Sequence, residues 1–284
     1  MPLPEPPPFG AAMLPPGTFA DDVVLVTGGG TGLGKAIAVE FGRLGAAVAI
    51  VSRNSEHGAT GRAAVEAVGG EAVAASADVR DPASIRAAFD DVEGALGPVT
   101  ILVNNAAGNF TSPAEVMSAN AWRAVTQIVL DGTFFCSTEL ARRRIAARTH
   151  AVVLNIGATY AWTGGPGTAH SAAAKAGVAN LTQSLAVEWA PHGIRVNCLA
   201  PGLFPHDDLP GGLRGDRDEP EAAATVPAGR VGRPHELGWA ATYLCSPYAA
   251  YLTGHTLVLD GANWLRRGLR MPEFVPVAEQ LRDH

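Results

Sequence analysis

Lysine is almost absent from this sequence of 284 residues: Lys35 and Lys175 are the only two, beside nineteen arginines. A lysine within the small-residue stretch Ser171 to Gly177 is therefore not the composition's default choice. Cysteine is scarce too. Cys136, Cys198 and Cys245 are odd in number, far apart and without the short paired spacing of a metal site, so they read as buried thiols in a reducing compartment. No apolar run reaches the roughly 18 residues that a membrane span needs. Basic clusters are missing apart from Arg142, Arg143 and Arg144, and with a net charge of -6 no nucleic-acid partner is indicated; those arginines read as a solvated helix face. The histidines are scattered, and no metal site is assigned. The first twenty residues are proline-rich and hold no basic residue, unlike a secretion signal or a transit peptide. They are expected to form a flexible tail, residues 1–20, on a cytoplasmic protein.

What is present is apolar and alternating. Hydrophobic residues make up 47% of the chain, enough for one large core. Val23 to Val26 is a continuous apolar run of the kind buried on both faces of a parallel sheet, and TGGGTGLG follows at once. Glycines at 28, 32 and 34 allow a sharp turn and close approach to a pyrophosphate, and the helix that Lys35 then enters favours an anion at its N-terminus. A bare glycine cluster is a weak signal; the strand before it and the helix after it make this a dinucleotide fingerprint. Its spacing is Gly-x3-Gly-x-Gly, with Thr31 and Leu33 inside the turn.

A second strand, Ala47 to Val51, ends in Ser52-Arg53-Asn54 where an acid would hold the ribose of NAD. Arg53 suits the 2′-phosphate of NADP, although a solvated surface arginine is the competing reading. Helix 55–68, strand 72–76 and helix 81–96 follow, with Asp78 past the strand end, placed to face the adenine. Strand 101–103 runs into NNAAGNF, where Asn105 and the small residues leave room for the cofactor and Asn109 and Phe110 project toward a substrate. Then come helix 118–147, strand 151–156, helix 171–190, strand 195–199 with the turn Pro201-Gly202-Leu203, helix 234–245 and strand 256–259. The alternation predicts a single Rossmann-type doubly wound α/β domain over 21–264, with about seven parallel strands and helices on both faces. Residues 203–230, rich in Pro, Gly and acids, read as a substrate lid, and 265–284 as a C-terminal tail.

Between Asn155 and Gly177 stand two titratable side chains among small neighbours, Tyr160 and Lys175. TGGGTGLG, NNAAG and the Pro201-Gly202 turn, in this order, resemble the short-chain dehydrogenase/reductase family. That family usually sets its acid tyrosine four residues before the lysine, where this chain has Ser171, and a serine seventeen before it, where this chain has Ala158. A serine hydroxyl is too weak an acid to replace the tyrosine directly.

NNAAGNF, DVRDP, a tyrosine fifteen residues before the lysine, and Ser-x3-Lys together resemble the 2,4-dienoyl-CoA reductase branch. The resemblance implies that Tyr160 and Asn109 hold the thioester oxygen of a 2,4-dienoyl-CoA while Lys175 and Ser171 orient the nicotinamide ribose. It implies NADPH as cofactor, 3-enoyl-CoA as product, Arg80, Phe110, Ser118 and Arg214 as acyl-CoA contacts, and a homotetramer packed through helices 118–147 and 171–190. Asp207 and Asp208 put acid where basic CoA partners are expected, leaving Arg214 and Arg217. Three readings stay open at the level of sequence. Tyr160 could be a packed loop aromatic and Asn109 a turn former; the substrate could be another acyl-CoA, a ketone or an alcohol; and the chain could be a nucleotide-binding scaffold without activity.

Overall fold

The structure is a computed structural model, and it describes residues 2–206, 219–266 and 279. Seven strands form one sheet: β1 Val23–Thr27, β2 Ala47–Val51, β3 Glu71–Ala75, β4 Ile101–Asn104, β5 Ala151–Ile156, β6 Ile194–Pro201 and β7 Thr256–Leu259. Every pairing is parallel, in the order β3-β2-β1-β4-β5-β6-β7. Around it lie α1 Gly32–Arg43, α2 Ser55–Glu66, α3 Pro82–Leu96, α4 Ala119–Thr126, α5 Gly132–Ala147, α6 Tyr160–Thr163, α7 Ala169–Trp189, α8 Glu219–Ala224 and α9 Pro234–Cys245. From β1 the chain winds outward to β3 and then crosses back to β4. The order therefore reverses between β1 and β4, and that switch point opens a crevice at the carboxyl ends of the strands.

Continuous apolar strands follow from burial on two sides. Val24, Val26, Val48, Ile50, Val103 and Leu154 point into one core with Ile37 and Phe41 of α1 and Leu237 of α9. Their neighbours Val23, Leu25, Ala49, Val51, Leu102 and Val153 enter the other, against Phe89 of α3, Leu140 of α5 and Leu185 of α7. The period of two is present but masked, because both faces need apolar side chains.

Helix 118–147 is one run with a change of pitch: α4 passes into a π-helical segment, Gln127–Asp131, before α5. Just after it Gly132 packs under Val79, where a Cβ would come 2.8 Å from Val79 Cγ2. A larger residue would push this helix away from the segment that follows β3. The arginines expected on a solvated face are a correction. Arg143 pairs with Asp90, Glu93 and Glu139, and buried Arg144 with Glu93, so they bolt α5 to α3; Arg142 alone remains largely exposed.

A second correction concerns residues 1–20, expected as a loose tail. Phe19 is 1% exposed and meets Phe41 edge to face with ring centroids 5.0 Å apart, while Leu14 is also buried. Burying one such ring contributes about 1.5–3 kcal/mol toward ordering the segment. Upstream, Leu3 N–H donates to the Ala228 carbonyl at 2.8 Å, Arg230 donates to the Pro4 carbonyl at 3.0 Å, and Arg233 pairs with Glu5 at 3.0 Å. Proline counts alone suggested disorder; the apolar residues between the prolines decided the outcome. Among the described residues no helix is long and apolar enough to cross a membrane.

Candidate active site

After β1 the chain turns at Gly28 with φ +65°, and a Cβ there would stand 3.1 Å from the Ala106 backbone. Only glycine satisfies both conditions. At Gly34 a Cβ would strike the Gly28 carbonyl and the Asn105 side chain. Asn105 Nδ2 donates to the carbonyls of Thr27 and Gly28 at 3.1 Å each, and Thr27 Oγ1 accepts from the N–H groups of Asn105 and Ala106 at 3.0 Å each. Asn105 thus clamps the glycine turn to the end of β4. Thr31 enters α1 in extended conformation with no side-chain cap, and the first turn holds no acid, so the helix dipole there favours an anion. Leu33 packs against the core, and the His206 ring lies over Gly32. These residues fit the pyrophosphate of a dinucleotide.

Beyond β2, Arg53 is largely exposed and its Nη1 sits 3.8 Å from Asp78 Oδ2. Arg80 grips the same carboxylate, Nε lying 2.9 Å and 3.0 Å from its two oxygens. Hydrogen bonds from Arg80 hold the Asp78 pKa down at about 2. The structure therefore gathers Arg53, Asp78 and Arg80 just past the ends of β2 and β3, so Arg80, expected as an acyl-CoA contact, stands beside the residues expected on the adenine side.

At the other end stands α7. Its N-terminal turns carry Ser171 and Lys175 four residues apart, hence on one face. Lys175 is buried and its Nζ donates to the Ile156 carbonyl at 2.5 Å; burial pushes its pKa down to about 8. Burial likewise pushes the facing Cys198 thiol up, to about 11. Tyr160 opens the short helix α6, and its hydroxyl lies 3.0 Å from Ser171 Oγ. The phenol thus reaches the position that Ser171 leaves short. Ala158 is buried and offers no hydroxyl.

Asn109 Oδ1 accepts the Phe110 N–H at 2.9 Å, which leaves its NH2 to donate. Ser112 N–H donates to the Gly167 carbonyl at 2.8 Å, and the rings of Phe110 and His170 meet edge to face, so the loop after β4 leans on the entry to α7. Pro201 ends β6, Gly202 donates to Leu259 at 2.9 Å with no room for a Cβ beside Asp260, and the Leu203 carbonyl accepts from Gly232 N–H. Ser118 Oγ accepts the Ala121 N–H at 3.1 Å, which makes it the N-cap of α4. Arg214, Arg217, Asp207 and Asp208 lie outside the described residues.

One group was missed from sequence. Asn104 Nδ2 donates to Ser137 Oγ and to Asn155 Oδ1, and Asn155 Nδ2 donates to Thr182 Oγ1, each at 2.9 Å. All four are buried beneath the site and tie β4, β5, α5 and α7 together. The available signal was a polar residue at the last position of one apolar strand and the last but one of another, because a buried amide needs partners.

An anion cradle at the switch point, with a phenol bonded to the serine one helical turn from a buried lysine at the end of β5, defines a nicotinamide-dependent oxidoreductase. Comparison with known proteins gives the family. A family model described as enoyl-(acyl carrier protein) reductase matches residues 28–262, and the chain belongs to the short-chain dehydrogenase/reductase family. A probable 2,4-dienoyl-CoA reductase [(2E)-enoyl-CoA-producing] of Bacillus subtilis (strain 168) is 42% identical over 85% of this chain and 96% of its own. A Caenorhabditis elegans protein named as a probable 2,4-dienoyl-CoA reductase [(3E)-enoyl-CoA-producing] is 40% identical over 91% of this chain and 86% of its own. Among solved structures, a gluconate 5-dehydrogenase from Burkholderia cenocepacia J2315 in complex with NADP and tartrate superposes with a TM-score of 0.80, at 33% identity over 87% of this chain and 96% of that one.

Proposed function

We propose that this chain reduces 2,4-dienoyl-CoA to 3-enoyl-CoA with NADPH. The observation that carries the reading is the Tyr160 hydroxyl 3.0 Å from Ser171 Oγ: the acid tyrosine position holds serine, and a tyrosine from α6 comes to it. The relatives named for this reduction, at 42% and 40% identity, support the substrate class.

The bound cofactor supplies a hydride, which is delivered to C5. Negative charge then spreads through the diene to the thioester oxygen, where hydrogen-bond donors stabilise it. The Tyr160 hydroxyl and the Asn109 NH2 are the donors assigned there. Lys175, held under β5, orients the ribose, and Ser171 fixes the Tyr160 hydroxyl. Water protonates Cα, so no acid is needed beside that carbon and the double bond ends between C3 and C4. The two relatives differ in the product that their names give, which makes the position of the product double bond the point to measure.

NADPH is favoured by Arg53 in place of an acid and by NADP in the gluconate 5-dehydrogenase structure. A cytoplasmic homotetramer completes the reading: Trp122, Phe134 and Val187, on the helices expected to pack between subunits, are exposed apolar side chains. The test is a turnover screen of the chain with NADPH against dienoyl-CoA, enoyl-CoA and ketoacyl-CoA, with the product separated chromatographically. Turnover of ketoacyl-CoA without dienoyl-CoA would assign Tyr160 to ordinary carbonyl reduction and end this proposal.

A further inference from the structure

His170 is fully buried at the entry to α7, yet the reaction as described makes no use of it. Its Nδ1 accepts the Ser171 N–H at 2.9 Å, which places the proton of the neutral ring on Nε2. That N–H is one of the first-turn donors of a helix that have no intrahelical acceptor, and Thr168, at the N-cap, makes no side-chain cap bond. His170 therefore does the capping from inside the helix. Nε2 is buried and has no hydrogen-bond acceptor among the described residues. The ring stands edge to face against Phe110, 4.3 Å between centroids at 78°. Phe110 in turn donates its backbone N–H to Asn109 Oδ1 at 2.9 Å.

One unbroken set of contacts thus runs Asn109, Phe110, His170, Ser171, Tyr160, and His170 is the member that joins its two arms. We infer that His170 is a positioning residue that sets the two oxygen-binding donors, Asn109 on the loop after β4 and Tyr160 on α6, at a fixed spacing. It acts through the Phe110 ring on one side and the Ser171 backbone on the other. A buried imidazole costs more than an apolar side chain unless its polar atoms are used, and here Nδ1 is used on the helix while the ring packs edge to face with Phe110. The inference rests on the reading of Asn109 and Tyr160 as a donor pair.

The two arms separate by substitution. His170→Asn keeps an acceptor close to Nδ1 and loses the ring, so the Phe110 arm should loosen and carry Asn109 with it: kcat falls roughly tenfold and KM for dienoyl-CoA rises together with it. His170→Phe keeps a ring against Phe110 and loses the acceptor, so kcat falls roughly tenfold or more with KM near parental. Hydrogen exchange at the Ser171 amide should quicken in His170→Phe and stay slow in His170→Asn, a readout that needs no substrate. If His170→Phe does not fold, the cycle of His170→Asn with Phe110→Leu decides, since coupled residues give effects that do not add. Unchanged kinetics in both variants, a loss of melting temperature alone, or an additive cycle would each overturn the inference. A parent inactive on dienoyl-CoA would defeat the proposed substrate, while the exchange experiment would still decide the Ser171 arm.

Discussion

Asn155, in β5, donates its side-chain amide to Thr182 Oγ1 of α7 at 2.9 Å, and neither residue reaches solvent. The bond lies less than two turns beyond Lys175 on the same helix, so the strand beneath the site sets how far α7 can slide. Asn155→Ala strips Asn104 and Thr182 of a partner while leaving both buried. Stability should fall by about 1–3 kcal/mol in denaturant titration, with turnover reduced as well. A variant as stable and as active as the parent would show that the amide does not hold the helix.

The charge on Lys175 gives a pH signature. Burial lowers its pKa to about 8, against an ordinary value of 10.5. Below about 8 the lysine is protonated in the folded and the unfolded chain alike, and the folded state carries the whole desolvation penalty. Between about 8 and 10.5 the unfolded chain holds a proton that the folded chain has released, so this residue's contribution to stability improves with pH across that window and is level above it. Lys175→Met should make the cofactor-free protein more stable at pH 7 by about 1–3 kcal/mol while abolishing turnover, and the excess should fade by pH 10.5. A difference that stays flat over that range contradicts the assignment.

Kinetics should rank the donors. Tyr160→Phe and Asn109→Ala each remove one hydrogen bond to the developing oxyanion and should cost about 10²- to 10³-fold in turnover. Ser171→Ala should cost less, since its hydroxyl acts on the thioester only through Tyr160. Tyr160→Phe with parental turnover on dienoyl-CoA would sink the mechanism.

Cofactor choice turns on one side chain. Dissociation constants should favour NADPH over NADH in the parent, and Arg53→Asp should erase or reverse that order. Asp78, already paired with Arg80 and 3.8 Å from Arg53, should keep Arg53 turned toward the crevice. Equal constants for both cofactors would remove Arg53 from the site.

Assembly is read by sedimentation. Exposed Trp122 and Phe134 predict a tetramer at micromolar concentration, and Phe134→Glu should shift it toward smaller species. A monomeric parent ends the idea.

Much of this was legible in the residues. Strands β2, β5 and β7 and helix α9 begin and end at the residues read from the sequence, because apolar runs of these lengths between polar or turn-forming residues suit strands and helices of a parallel sheet. The glycine turn was legible too: Gly28 at φ +65° tolerates no substitute. What stayed hidden was tertiary. Nothing local shows that Arg144 pairs with Glu93 of α3, or that His170 reads the backbone of its neighbour. The change of pitch at Gln127–Asp131 also has no sequence mark, since its residues suit an ordinary helix.

The N-terminal strap has a practical consequence. Leu3, Pro4 and Glu5 are hydrogen-bonded to Ala228, Arg230 and Arg233, and Pro2 lies within 2.9 Å of where a Cβ on Gly229 would stand. An affinity tag or fusion partner joined at Met1 would hang its bulk on the segment that leads from α8 to α9, at the foot of the expected lid. Acyl-CoA affinity measured on such a fusion would include a handle pulling on that segment, whereas protein released from its tag would report the enzyme alone.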